Sequence, residues 1–140
     1  MNSLSNICIV DDDDIYQFMV TKTLESLGLA KKIIAFSDGE EALNFMVENL
    51  NNENELPDII LLDINMPIMD GFQFMEEYVK LIPKVSKSIV IYIVSSSVDP
   101  VDIERAKNIS AISGYIIKPT KPGELKSLIE KLKESGRLYL

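Results

Sequence analysis

The sequence predicts an α/β domain, a parallel β-sheet with helices on both faces. Three observations predict it. Five short runs rich in Ile and Val recur along the chain, at residues 7–10, 32–36, 58–62, 89–94 and 114–117. Most lack strict apolar–polar alternation, the pattern of strands covered on both sides. Between them lie longer segments with apolar residues three and four apart, and crossovers of that length favour parallel pairing. A chain of 140 residues suits one domain whose core needs no disulfide or metal staple.

The first run, ICIV, is followed by four aspartates, Asp11 to Asp14. A helix is expected over 14–27, with Val20, Leu24 and Leu27 on one face and Gly28 as its stop. The second run ends blandly in Ser37-Asp38, which marks an edge strand. The second helix begins near Asp38 and turns Ala42, Leu43, Met46 and Leu50 inward, and the polar stretch NNENE, residues 51–55, reads as its loosely ordered end. Asp63-Ile64-Asn65-Met66-Pro67 follows the third run. Asp70 is the expected N-cap of the third helix, with Phe72, Met75, Val79 and Ile82 on its inner side. The fourth run leads into Ser95, Ser96 and Ser97. The fourth helix has Asp99 as N-cap, Pro100 at its first position and Asp102 completing a capping box. Lys118-Pro119 follows the fifth run, and the last helix presents Leu125, Leu128, Ile129 and Leu132.

Composition narrows the function. The net charge of −8 argues against a binder of nucleic-acid backbones, which needs a basic face. The absence of histidine excludes Ser-His-Asp triads, Cys-His pairs and His-ligated zinc. Any metal must be held by oxygen, which points to magnesium, manganese or calcium. The lone cysteine, Cys8, lies in the first apolar run and reads as a small buried hydrophobe. No apolar run approaches the roughly 20 residues of a membrane span, and the start MNSLSN lacks the features of a signal peptide. A cytoplasmic location is therefore expected. The sequence reads as a single domain over 1–140, with tails at 1–5 and 135–140 and no output domain; the apolar Leu138, Tyr139 and Leu140 either pack back on it or mark where a longer chain is cut.

In open α/β sheets, ligands bind beyond the carboxyl ends of the strands. Four of the five runs end there in polar residues: Asp11 and Asp12, Asp63, Ser95 to Ser97, and Lys118. If those strands are neighbours, Asp11, Asp12 and Asp63 form an acidic cup suited to a hard divalent cation. Asp13 and Asp14 are read as helix caps instead, and Tyr115 as a half-buried strand aromatic whose hydroxyl meets water. A strand-end lysine often only reaches water, but Lys118 beside Pro119, after a wholly apolar run, favours a place in the pocket. One carboxylate nucleophile, a metal, a hydroxyl and a lysine make a phosphoryl-acceptor site that needs no general base.

The pieces IVDDDD, DIILLDINMPIMDG, IVSSS and GYIIKP stand in this order after the first, third, fourth and fifth strands. Together they resemble the receiver domain of two-component response regulators, of the chemotaxis type, over nearly the whole chain. The resemblance implies a flavodoxin-like, doubly wound three-layer fold with sheet order 2-1-3-4-5. It implies that Asp63 is the phosphorylated aspartate. Magnesium, or manganese, would be bound by Asp11, Asp12, Asp63 and the backbone carbonyl of Asn65, with Asp12 a direct ligand. Ser95 matches the switch hydroxyl, Tyr115 the switch aromatic and Lys118 the family's lysine, while Asn65 and Ser97 flank the site and tune the phosphoryl lifetime. The phosphoryl group would come from a histidine kinase or a phosphotransfer protein, and the signal would leave by protein contact through helix four, strand five and helix five. Such a protein assists its own phosphorylation and dephosphorylation but is not a turnover enzyme. The chain departs from the commonest pattern with Ser95 where threonine is more usual, Thr120 where phenylalanine commonly follows Lys-Pro, and extra length at NNENE.

Two other readings use the same residues. A magnesium-dependent phosphohydrolase of haloacid dehalogenase type would use Asp11 and Asp13 as its D-x-D pair, but leaves LLDIN unexplained. A degenerate, non-catalytic receiver would keep the fold without the chemistry. A flavin protein of this fold is disfavoured, because four acids after the first strand repel a flavin phosphate.

Overall fold

The structure, a computed structural model, describes residues 5–134, with Lys133 by its backbone alone. The tail residues Leu138, Tyr139 and Leu140 lie outside the described residues. Strands β1 (Ser5–Val10), β2 (Ala30–Phe36), β3 (Ile59–Leu62), β4 (Val90–Ser95) and β5 (Ile112–Ile117) form one sheet in the order β2-β1-β3-β4-β5, every neighbouring pair parallel. Helices α1 (Asp14–Leu27), α2 (Gly39–Glu48), α3 (Gly71–Leu81), α4 (Pro100–Lys107) and α5 (Pro122–Glu134) link or follow them, with a 3-10 turn at Ile82–Lys84. This is the doubly wound flavodoxin-like arrangement, and β2 is the edge strand expected from its bland ending.

The period of two along each strand divides the core. Ile7 and Ile9 of β1 pack with α1 and α5, against Val20, Leu24, Leu125 and Ile129. Cys8 and Val10 face the other way, toward Ala42 and Met46 of α2 and Phe72, Phe74 and Met75 of α3. Both sets are buried, which is why the run shows no alternation in its sequence. Burial also pushes the Cys8 thiol up to about 12, so it is an inert core residue.

Four expectations are corrected. Helix α3 buries Phe74 and Tyr78, whose rings stack at 5.6 Å, while Val79 and Ile82 are 45% and 42% exposed. The stripe Gly71-Phe74-Met75-Tyr78 meets the sheet, and Ile82 falls in the 3-10 turn beyond the helix end. The capping box sits at Asp70 and Gln73, not at Asp99 and Asp102: Gln73 N donates to Asp70 at 2.8 Å and Asp70 N to Gln73 Oε1 at 2.9 Å. Asp99 does cap α4 through Val101 N, but Asp102 turns to Ser97 instead. Helix α2 stops at Glu48, and residues 51–55 form turns closed by backbone bonds and held by Asn6, whose amide donates to the Asn54 carbonyl at 3.0 Å. Finally, Ser5 belongs to β1 rather than to a tail. Among the described residues no helix is long and apolar enough to cross a membrane.

The α3 correction is open to direct measurement. Phe74→Ala is expected to cost about 3–5 kcal/mol in urea unfolding, and Val79→Ala well under half of that. Equal losses would place the buried face of α3 wrongly.

Candidate functional site

Parallel register brings the chemistry together. Val10 is level with Leu62 across β1 and β3, so the next residues, Asp11 and Asp63, leave the sheet side by side. Asp63 N donates to the Val10 carbonyl at 2.9 Å, and Asp11 N to the Phe36 carbonyl at 3.0 Å. Ser95 ends β4, and Lys118 N donates to its carbonyl at 2.9 Å. One carboxylate oxygen each from Asp11, Asp12 and Asp63 lies within 4.8 Å of the others. Asp11 and Asp63 are buried, whereas Asp12 is exposed and opens the cluster to solvent.

Each oxygen has a defined neighbour. Asp11 Oδ1 accepts from Asp13 N at 2.9 Å, and its Oδ2 lies 2.7 Å from Lys118 Nζ. Asp63 Oδ1 accepts from Ile64 N at 2.8 Å, and its Oδ2 is 3.6 Å from the same ammonium. Asp13 is the N-cap of α1 and accepts from Ile15 N and Tyr16 N. That duty leaves it unsuited to the D-x-D role. Asn65, two residues past Asp63, is exposed on the loop leading to α3.

The charges are under strain. Burial first, and then the charges of Asp11 and Asp12, raise the Asp63 carboxyl from 3.8 to about 6 against the opposing pull of Lys118 and Ile64 N. Burial alone would lower Lys118, but its hydrogen bond to Asp11 and the charges of Asp63 and Asp11 outweigh that and hold it above its ordinary value. One ammonium cannot neutralise three carboxylates. An all-oxygen set with one exposed member and an unmet negative charge fits a hard divalent cation, and not a soft one.

The hydroxyl residues are engaged elsewhere. Ser95 is fully buried, and its Oγ accepts from Ser97 N at 3.2 Å. Ser97 Oγ donates to Asp102 at 2.7 Å. The Tyr115 hydroxyl, expected to meet water, donates to the Ser97 carbonyl at 2.9 Å. The β4–α4 loop is thus tied to both α4 and β5.

Three contributors escaped sequence reading. Gly71 opens α3 so close to the β3 end that a Cβ there would stand 2.3 Å from the Asp63 carbonyl oxygen. Gln17 Nε2 joins the Asp11 and Phe36 carbonyls at 2.6 and 2.9 Å. The ring of Tyr16 lies 4.3 Å from Lys118 Nζ, and its hydroxyl is 2.7 Å from Thr120 Oγ1. Only Gly71, in the Asp-Gly pair before a helical pattern, carried a local signal.

The family model described as Response regulator receiver domain matches residues 7–130. The chain belongs to this family. Among curated proteins, this receiver domain is 27% identical over 128 residues to the probable methanogenesis regulatory protein FilR2 of Methanothrix harundinacea, covering 91% of this chain and 81% of that protein. Other relatives are longer: the chain spans 45% and 28% of the length of two of them. Among solved structures, a two component response regulator from Cytophaga hutchinsonii superposes with a TM-score of 0.82 at 26% identity, covering 95% of this chain and 99% of that one. A response regulator receiver protein from Dyadobacter fermentans gives 0.75 at 32% identity, covering 92% and 95%.

The strain on Asp63 has a stability signature. Its folded value, about 6, lies above the ordinary 3.8, so its favourable contribution is complete below the lower value and is lost as pH rises through the upper one. In chelator, Asp63→Asn is therefore expected to melt above the parent at about pH 7, with the gap closing toward about pH 4. A gap of the opposite sign at neutral pH would show that the carboxylate is favourably placed without metal.

Proposed function

We propose that this receiver domain accepts a phosphoryl group on Asp63 and signals by the change that follows. The observation that carries the proposal is the convergence of Asp11, Asp12, Asp63 and Lys118 at the ends of three strands, with Lys118 Nζ 2.7 Å from Asp11 and 3.6 Å from Asp63. Asp63 Oδ attacks phosphorus and forms an acyl phosphate, while the bond from phosphorus to the donor breaks and its electron pair leaves with the donor. Asp11, Asp12, Asp63 and the Asn65 carbonyl are the groups that would hold Mg2+ or Mn2+. Such an ion supplies positive charge to the phosphoryl oxygens. Lys118 supplies the second positive charge, and the Ser95 hydroxyl a hydrogen bond once its link to Ser97 N loosens. Asn65 and Ser97 flank the phosphoryl group and set its lifetime. The donor is a histidine kinase or a histidine phosphotransfer protein in the cytoplasm, and the chain does not turn over a separate substrate.

The output face is helix α4, β5 and α5. Of α4 only Ala106 is buried, and Val101 is 71% exposed, so little apolar area holds this helix in place. A groove of about 560 Å³ runs between it and β5, lined by Ile103, Ala106, Lys107, Gly114, Tyr115 and Ile117. Movement of Ser95 toward a phosphoryl group pulls the β4–α4 loop and breaks the Tyr115–Ser97 hydrogen bond. That frees the ring to turn and reshapes the groove for a protein target.

Intact-mass measurement after incubation with acetyl phosphate tests the acceptor chemistry. The parent is expected to gain one phosphoryl group with magnesium and none in chelator, and Asp63→Asn to gain none in either. A parent that stays unmodified would support a degenerate receiver instead. The switch is tested by NMR with beryllofluoride and magnesium, where shifts are expected at Ser95, at Tyr115 and along α4. A spectrum changed only around Asp63 would remove the output face.

A further inference from the structure

We propose that Tyr16 is a positioning residue for Lys118: its ring face keeps the ammonium over the acidic cup, and Thr120 holds the ring in place. Tyr16 has this role only if Asp63 accepts a phosphoryl group as proposed above. Lys118 Nζ lies 4.3 Å from the centre of the Tyr16 ring, within the roughly 6 Å over which a cation is drawn to an aromatic face. The same ammonium is 2.7 Å from Asp11 and 3.6 Å from Asp63, so it is pinched between the ring and the carboxylates. The Lys118 side chain is 15% exposed, and it lines one groove together with Tyr16, Met19, Pro119 and Leu125. Little water screens the contact.

The ring is anchored as well as adjacent. Tyr16 stands in the first turn of α1 and Thr120 in the loop before α5, 104 residues away, and their hydroxyl oxygens are 2.7 Å apart. This bond joins α1 to the segment that carries Lys118 and fixes the tilt of the ring.

A second partner for Lys118 matters because the first is shared. Asp11 is the closest carboxylate to the ammonium and also a member of the metal-binding set. With a cation in the cup, Lys118 loses part of its hold on Asp11 and meets like charge beside it. A lysine without another partner swings its head group into water. The Tyr16 face attracts the ammonium, offers no competing ligand to a hard cation, and leaves the N–H groups free for phosphoryl oxygens. Tyr16 thereby keeps Lys118 in reach at the step that needs it.

Tyr16→Leu, Tyr16→Phe and Thr120→Val test this. With acetyl phosphate at saturating magnesium, Tyr16→Leu is expected to slow phosphorylation by about two- to thirtyfold, the span of one cation–π contact. Magnesium affinity, read from the shift in melting temperature, stays at the parent value. Tyr16→Phe restores most of the rate, because the ring remains. In NMR spectra without donor, the upfield ring-current shift of the Lys118 ε-methylene is lost in Tyr16→Leu and only weakened in Tyr16→Phe and Thr120→Val, both of which keep the ring but lose its bond across to the other segment. Thr120→Val keeps the ring and decides the matter if Tyr16→Leu does not fold: a slower rate with a weakened shift supports the role, and parent values for both overturn it. A Tyr16→Phe variant as slow as Tyr16→Leu also overturns it. A parent that takes up no phosphoryl group removes the acceptor reading and this role together, whereas a competent parent matched by Tyr16→Leu removes only the role of Tyr16.

Discussion

One ammonium facing three carboxylates is the interaction on which the rest of this site depends. Lys118 lies between Asp11 and Asp63, both buried, and its charge is what allows two acids to sit side by side out of water. The compensation is incomplete. Asp63 stays well above the ordinary carboxylate range because burial and the neighbouring acids outweigh the lysine. A site left short of positive charge is a site that gains from receiving more, and the exposed Asp12 gives a cation its way in.

The sheet makes this possible by register rather than by loop design. Parallel pairing puts Val10 level with Leu62 and Ser95 level with Ile117, so the residues that follow or end these strands share one edge. The core below is apolar on both faces, and the polar residues begin where the strands end. The approach of α3 is equally constrained: Gly71 N donates to the Ile64 carbonyl at 2.9 Å, and there is no room for a side chain against the Asp63 backbone. Asp63 is thus held by its own strand, by the neighbouring strand and by the start of the next helix.

Much of this was legible in the sequence, for physical reasons. Unalternating Ile and Val runs mark strands covered on both sides, and polar residues clustered after four such runs mark the binding edge. Strand order needed the family resemblance, since periodicity does not say which strands are neighbours. What stayed hidden depends on contacts between distant residues. Asn6 holds the Asn54 carbonyl across 48 positions, so a polar stretch that reads as loose is closed into turns. Phe74 and Tyr78 turn inward because α3 meets the sheet along a stripe that the spacing of Val79 and Ile82 does not reveal. Asp102 stands where a capping box usually has Glu, but its carboxylate accepts from the Ser97 hydroxyl instead. Tyr16 gave no signal, because its partners, Lys118 and Thr120, are supplied by the far end of the chain.

The same ties connect site and surface. Ser97 meets Ser95, Asp102 and Tyr115, so the β4–α4 loop can move only by rearranging contacts with α4 and β5. In the switch proposed above, the balance of charge at Asp63 is what gives that movement its cause. Titration of the Asp63 side-chain carboxyl by carbon NMR, in metal-free parent and in Lys118→Met, measures that balance directly. A midpoint of about 6 is expected in the parent, and a higher one once the ammonium is gone. An ordinary carboxylate midpoint in the parent, unmoved by loss of Lys118, would contradict that expectation.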